Sequence, residues 1–148
     1  MAYRLGRSSL YGTGRSLDFA IIVSSILRAH GFDAGAETLT VCRARTITID
    51  FHPPGILLYV ELDPERSFAY NANVNVNPRC RHRGIGARLL AALEEICRQA
   101  DLTILINDNK NPAFWKRHGY RRLNPFWQMR LAKRLDLDLK AHSVFKKT

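Results

Sequence analysis

From Val74 to Ala87 the chain reads Val-Asn-Val-Asn-Pro-Arg-Cys-Arg-His-Arg-Gly-Ile-Gly-Ala. A strand-like alternation gives way within a few residues to a basic turn with two glycines, and the turn opens a helix. A strand running straight into a helix leaves the backbone N–H groups of the first helical turn without helical acceptors. The helix dipole puts partial positive charge at the same end, and the glycines let an anion approach the backbone closely. Arg79, Arg81, His82 and Arg83 add charge to that turn. The junction therefore reads as a phosphate site. It is neither of two common phosphate loops. A Rossmann turn needs a third glycine and an acidic residue about 20 positions on, and a Walker loop needs Gly-Lys followed by Ser or Thr.

The rest of the chain supplies a core for this junction to sit on. With 148 residues, 46% of them hydrophobic, it is expected to form one domain over 1–148. The formal charge of +10 calls for an acidic partner, either cofactor phosphates, a nucleic acid or an acidic protein surface. Cys42, Cys80 and Cys97 are odd in number and widely spaced, which suggests neither a disulfide framework nor a metal site. The most apolar run, Phe19 to Leu27, is too short to span a bilayer, and no signal-peptide core follows Met1. A cytoplasmic protein without membrane contact is expected.

Residues 1–15 show no periodicity and read as an N-terminal arm. Ser16 starts a helix whose Phe19, Ile22, Val23, Ile26 and Leu27 share a face, and Gly31 ends it. Glu37–Ala44, Arg45–Phe51 and Gly55–Leu62 read as strands of an antiparallel meander. In a fourth strand, Ser67–Asn77, strict alternation sends Asn71, Asn73, Asn75 and Asn77 one way and Tyr70, Ala72, Val74 and Val76 the other. The helix from Gly84 to about Gln99 turns Ile85, Leu89, Ala92, Leu93 and Ile96 to the sheet and offers a Glu94–Arg98 pair on its other side. Leu102–Ile106 is a short strand, broken by residues 107–112. Asn111 caps a helix that begins at Pro112 and runs to His118. Tyr120–Leu123 and Phe126–Leu131 read as two closing strands, and 132–148 as a weakly patterned basic tail.

The junction resembles the Arg/Gln-x-x-Gly-x-Gly/Ala signature of the GCN5-related N-acetyltransferases (GNATs), as Arg81-His-Arg-Gly84-Ile-Gly86, with the family's preceding Val-x-Pro present as Val76-Asn-Pro78. A second stretch is similar to the family's later motif: an asparagine-containing turn at Asn107 to Asn111, the aromatic pair Phe114-Trp115, and Gly119-Tyr120 leading into a closing strand. The resemblance covers residues 67 to 131. It implies an α+β fold with a mixed, mostly antiparallel central sheet flanked by helices. It also implies acetyl-CoA as cofactor, its pyrophosphate on Arg81, His82, Arg83, Gly84, Ile85, Gly86 and Ala87, and its pantetheine arm against the backbone of Val74 and Val76. Asn111 and Trp115 are the other expected cofactor contacts.

The same resemblance implies direct attack of a primary amine on the thioester, which needs a neutral amine and a route for its proton. Glu61, at the end of the third strand, is the candidate base, with Asp63 beside it. Many members carry a tyrosine in the aromatic pair to protonate the departing sulfur. Trp115 stands there in this chain, and an indole donates a hydrogen bond but no proton. A module that keeps the fold, and binds CoA, nucleic acid or protein without turnover, is the alternative. The acceptor is not readable, but the surplus charge around Arg121, Arg122, Lys133 and Arg134 favours an acidic protein or an RNA-bound amine.

Overall fold

The computed structural model of the chain describes residues 16–107, 111–135 and 144–147. The arm at 1–15 and the turn at 108–110 lie outside the described residues. Helix α1 (Ser16–Ala29) buries Phe19, Val23, Ile26 and Leu27. Gly31 ends it with φ +89°, and the Phe32 N–H reaches back to the Leu27 carbonyl at 3.0 Å. Glycine takes this left-handed position without a Cβ penalty, and buried Phe32 folds under the helix end.

Strands β1 (Leu39–Arg43), β2 (Ile47–Phe51), β3 (Ile56–Asp63) and β4 (Phe68–Val76) form the expected antiparallel meander. Helix α2 (Ile85–Gln99) carries the chain over to β5 (Thr103–Asn107), which lies parallel to β4. Then come α3 (Pro112–Arg117), β6 (Tyr120–Arg122), α4 (Pro125–Leu135) and β7 (Val144–Lys147). Among the described residues the sheet has seven strands in the order β1-β2-β3-β4-β5-β7-β6, and β4–β5 is its parallel pair. Helices α1 and α2 close one face over a core that includes Val60, Leu62, Leu93, Ile96 and Ile104. On the other face a smaller cluster joins Tyr70 and Leu105 to Phe68, Leu123 and Leu131. Among the described residues no helix is long and apolar enough to cross a membrane.

Three expectations are corrected. Phe126–Leu131 is part of α4, not a strand. The Asn124 side chain accepts from the Phe126 N–H at 2.9 Å with Pro125 behind it, the same Asn-Pro helix start that opens α3. The stretch from 132 on is more than a basic tail: it finishes α4 and supplies β7, which pairs antiparallel with both β5 and β6. Finally, Tyr70 and Ala72 do not share a face, because β4 carries a bulge at Asn71 (φ +52°), where the register shifts between Tyr59 and Glu61. The extra residue throws Tyr70 into the small cluster and leaves Ala69 and Ala72 in the main core. On α2, Arg98 approaches Glu95 at 4.0 Å.

Candidate active site

Parallel pairing of β4 with β5 runs through Phe68↔Thr103 and Ala69↔Ile104 and ends there. It stops at the bulge, where added twist bends β4 away. Beyond it the described residues record no further pairing between the two strands. The Asn77 N–H donates to the Gly55 carbonyl, on the β3 side, at 2.7 Å. Backbone direction alternates along an antiparallel strand, so Val74 and Val76 turn their N–H and C=O groups to the opposite side, away from β3. The Val76 carbonyl there accepts from Arg81 Nε at 3.0 Å.

The loop after β4 is braced from within. The Asn77 side chain accepts from the Arg79 N–H at 3.1 Å and caps a single 3-10 turn, Pro78–Cys80. His82 (φ +67°) and Gly84 (φ +71°) then reverse the chain into α2. The first helical bond runs from the Arg88 N–H to the Gly84 carbonyl at 3.1 Å. The N–H groups of Ile85, Gly86 and Ala87 thus have no helical acceptor, and no acidic residue lies in that turn. A Cβ built on Gly84 would meet nothing within 4 Å, so the space above it is open to a ligand. One on Gly86 would lie 3.4 Å from the Phe114 ring and 3.8 Å from Val76, in ordinary contact with both, so α2 starts packed against these two side chains. Donors, dipole, open space and the exposed guanidinium groups of Arg79, Arg81 and Arg83 fit a pyrophosphate.

Of the remaining expected cofactor contacts, Asn111 and Trp115 serve the scaffold. The Asn111 side-chain oxygen accepts from the Phe114 N–H at 3.3 Å and caps α3. Trp115 is fully buried, edge-on to Tyr120 with centroids 5.6 Å apart. With no accessible surface it has nothing to offer a cofactor. Phe114 is the member of the pair that faces the loop.

Glu61 lies beside the bulge. Its carboxylate accepts from Asn71 Nδ2 at 2.6 Å and from the Tyr59 hydroxyl at 3.3 Å. Burial, reinforced by the Glu61 charge, raises the Tyr59 pKa, and burial with Asp63 and Glu61 raises that of Tyr70. Both hydroxyls therefore stay protonated and able to donate at neutral pH. Asp63 is buried in the β3–β4 turn, bonded by the Arg66 N–H and guanidinium at 3.1 Å each, which makes it structural. His30 and His52 bind Glu95 and Asp50, and His118 packs on Phe114 at 4.7 Å.

Sequence reasoning missed the parts played by Tyr59, Asn71 and Phe114. The asparagine run held a signal for one of them, since Asn tolerates the left-handed conformation that a bulge demands.

The acetyltransferase (GNAT) domain family model matches residues 41–122, β1 through β6. No curated protein matches the sequence. Among solved structures, GCN5 from Tetrahymena is similar over 93% of this chain and 90% of its own, at 15% identity and a TM-score of 0.54. N-acetylglutamate synthase from Neisseria gonorrhoeae, solved with coenzyme A and N-acetyl-glutamate, is similar over 92% of this chain at 11% identity and a TM-score of 0.50, and this chain spans 33% of its length. At these identities the likeness is one of fold. The braced loop, the end of β4–β5 pairing and the family model, which takes in more than half of the residues, lead to one conclusion: the chain belongs to the GNAT acetyltransferase family.

Proposed function

We propose that the chain is an acetyl-CoA-dependent N-acetyltransferase that acylates a primary amine by direct attack. The observation that carries this reading is the coincidence of three features around β4: the bulge, the end of β5 pairing, and Glu61 fixed beside both. The Ile85, Gly86 and Ala87 N–H groups and the arginines of the loop bind the pyrophosphate. The Val74 and Val76 backbone groups orient the arm that follows. Bound there, acetyl-CoA supplies an electrophilic thioester carbonyl. Glu61 takes a proton from the incoming ammonium group, with its carboxylate oriented by Asn71 and Tyr59. Positioning of this kind supplies much of the rate, because reaction within a preset geometry avoids most of the entropic cost of encounter.

A second reading, a CoA-binding module without turnover, is favoured by Trp115, which offers no acid to a leaving thiolate. One experiment separates the two: calorimetry with acetyl-CoA, alongside thiol release against a panel of amines. For an enzyme, Glu61→Gln leaves acetyl-CoA affinity intact and lowers kcat by about 100-fold or more. Tight acetyl-CoA binding with no thiol release from any amine identifies the module. Absence of acetyl-CoA binding refutes both.

A further inference from the structure

Helix α4 is built the wrong way round for a chain that ends its contacts at its own surface. It turns Gln128 inward, 1% exposed, and packs Leu131 against the small cluster, while Phe126, Trp127 and Met129 stand 59%, 55% and 70% exposed. The same outward surface carries Arg130, Lys133 and Arg134, of which Arg130 lies over both rings, 5.7 Å from the Phe126 centroid and 5.5 Å from that of Trp127. Residues 111–135 contain no aspartate or glutamate. Arg121 is exposed too. The register Leu105↔Lys146↔Arg121 puts it on the sheet face of Leu105, where Leu131 packs.

We infer that the outer face of α4, with Arg121, is a binding surface for single-stranded nucleic acid. Charge complementarity and the mixing of residue types select this occupant. A membrane-surface helix keeps its rings and its cations on separate sides, whereas here they alternate on one side with an arginine against both rings. A second copy of the chain would bring cations against cations. A ligand that is both anionic and planar satisfies rings and guanidinium groups together, and a strand with unstacked bases is such a ligand. The inference stands on α4 and β6 alone and does not depend on acyl transfer.

The test is fluorescence anisotropy of labelled single-stranded RNA and DNA of equal length, with the matching duplex as competitor, over a range of salt. Both single strands are expected to bind the unmodified chain and the duplex to bind more weakly, since its bases cannot stack on a ring; preference between RNA and DNA then tells which is the stronger ligand. Replacing Phe126 and Trp127 together by alanine is expected to cost about tenfold or more in affinity and leave the salt slope unchanged. The quadruple variant Arg121→Gln, Arg130→Gln, Lys133→Gln, Arg134→Gln is expected to flatten that slope by roughly 0.7 for each phosphate no longer neutralised. Should the alanine variant fail to fold, quenching of Trp127 in the unmodified chain reads the same stacking, with Trp127→Phe supplying the Trp115 background. Equal affinity for duplex and single strand with no Trp127 quenching overturns the inference. So does binding to phosphatidylserine vesicles, or self-association through α4, in place of oligonucleotide binding.

Discussion

Two glycines two positions apart in one loop have different reasons to be glycine. Gly84 has a left-handed backbone and open space above it. Gly84→Val is expected to cost about 1–3 kcal/mol of backbone strain and to weaken acetyl-CoA binding by filling the space a phosphate needs. Gly86 is helical and carries no such strain; a Cβ there sits in ordinary contact with Phe114 and Val76, so Gly86→Val should lower the melting temperature only through the added methyls that crowd those two side chains. Thermal melts with calorimetry on both variants check this, and unchanged acetyl-CoA affinity in Gly84→Val would remove the loop from the site. Trp115 makes the complementary case. Among the described residues it is the largest fully buried side chain, so Trp115→Ala should cost about 3–5 kcal/mol, while Trp115→Phe keeps most activity. If Trp115→Phe abolished turnover with folding and acetyl-CoA binding intact, a role confined to packing would be wrong.

At the scale of elements, α3 and α4 start in the same way: an asparagine side-chain oxygen on an N–H of the first turn, with proline next. Each cap should be worth about 1 kcal/mol, measured by urea unfolding of Asn111→Ala and Asn124→Ala. The consequences should differ. Loss of the α3 cap loosens Phe114 and with it the packing behind Gly86, so Asn111→Ala should also weaken acetyl-CoA binding. Asn124→Ala should leave that affinity alone. Equal effects on binding would mean that Phe114 is not held by the cap.

For the whole molecule, the buried acids set an alkaline limit to stability. Burial pushes the Cys97 thiol and the Tyr120 hydroxyl well above their ordinary values of 9.0 and 10.0, with lesser upward effects from the Glu94 charge, and Tyr70 is raised as well. The folded chain holds these protons to higher pH than the unfolded chain does. Their contribution to stability is therefore full below the unfolded values and is lost as pH rises above them. Each group that ionises only on unfolding removes about 1.4 kcal/mol per pH unit in that range. Urea unfolding followed from pH ~7 to pH ~10.5 should show a decline that Cys97→Ala makes shallower. A flat profile would contradict the burial of these groups.

The sequence by itself determined whatever short-range chemistry can write. The strand-to-helix junction, the caps at Gly31 and Asn111, the meander and the inward faces of α1 and α2 all follow from periodicity and backbone preference within a few residues. The same local information misread 126–131, where Phe126, Trp127, Met129 and Leu131 suggested a strand although Asn124-Pro125 carried the start signal of a helix. Only tertiary structure decided the rest. The bulge at Asn71 exists against β3, so the side to which Tyr70 points was not available to an alternation rule. Pairing of β7 between β5 and β6 is made by residues distant in sequence. Assignment of Trp115 to the core and of Phe114 to the loop likewise depends on which side of α3 meets α2 and β6. A local pattern can show that a side chain is apolar or charged, but what faces it is fixed by where the chain returns.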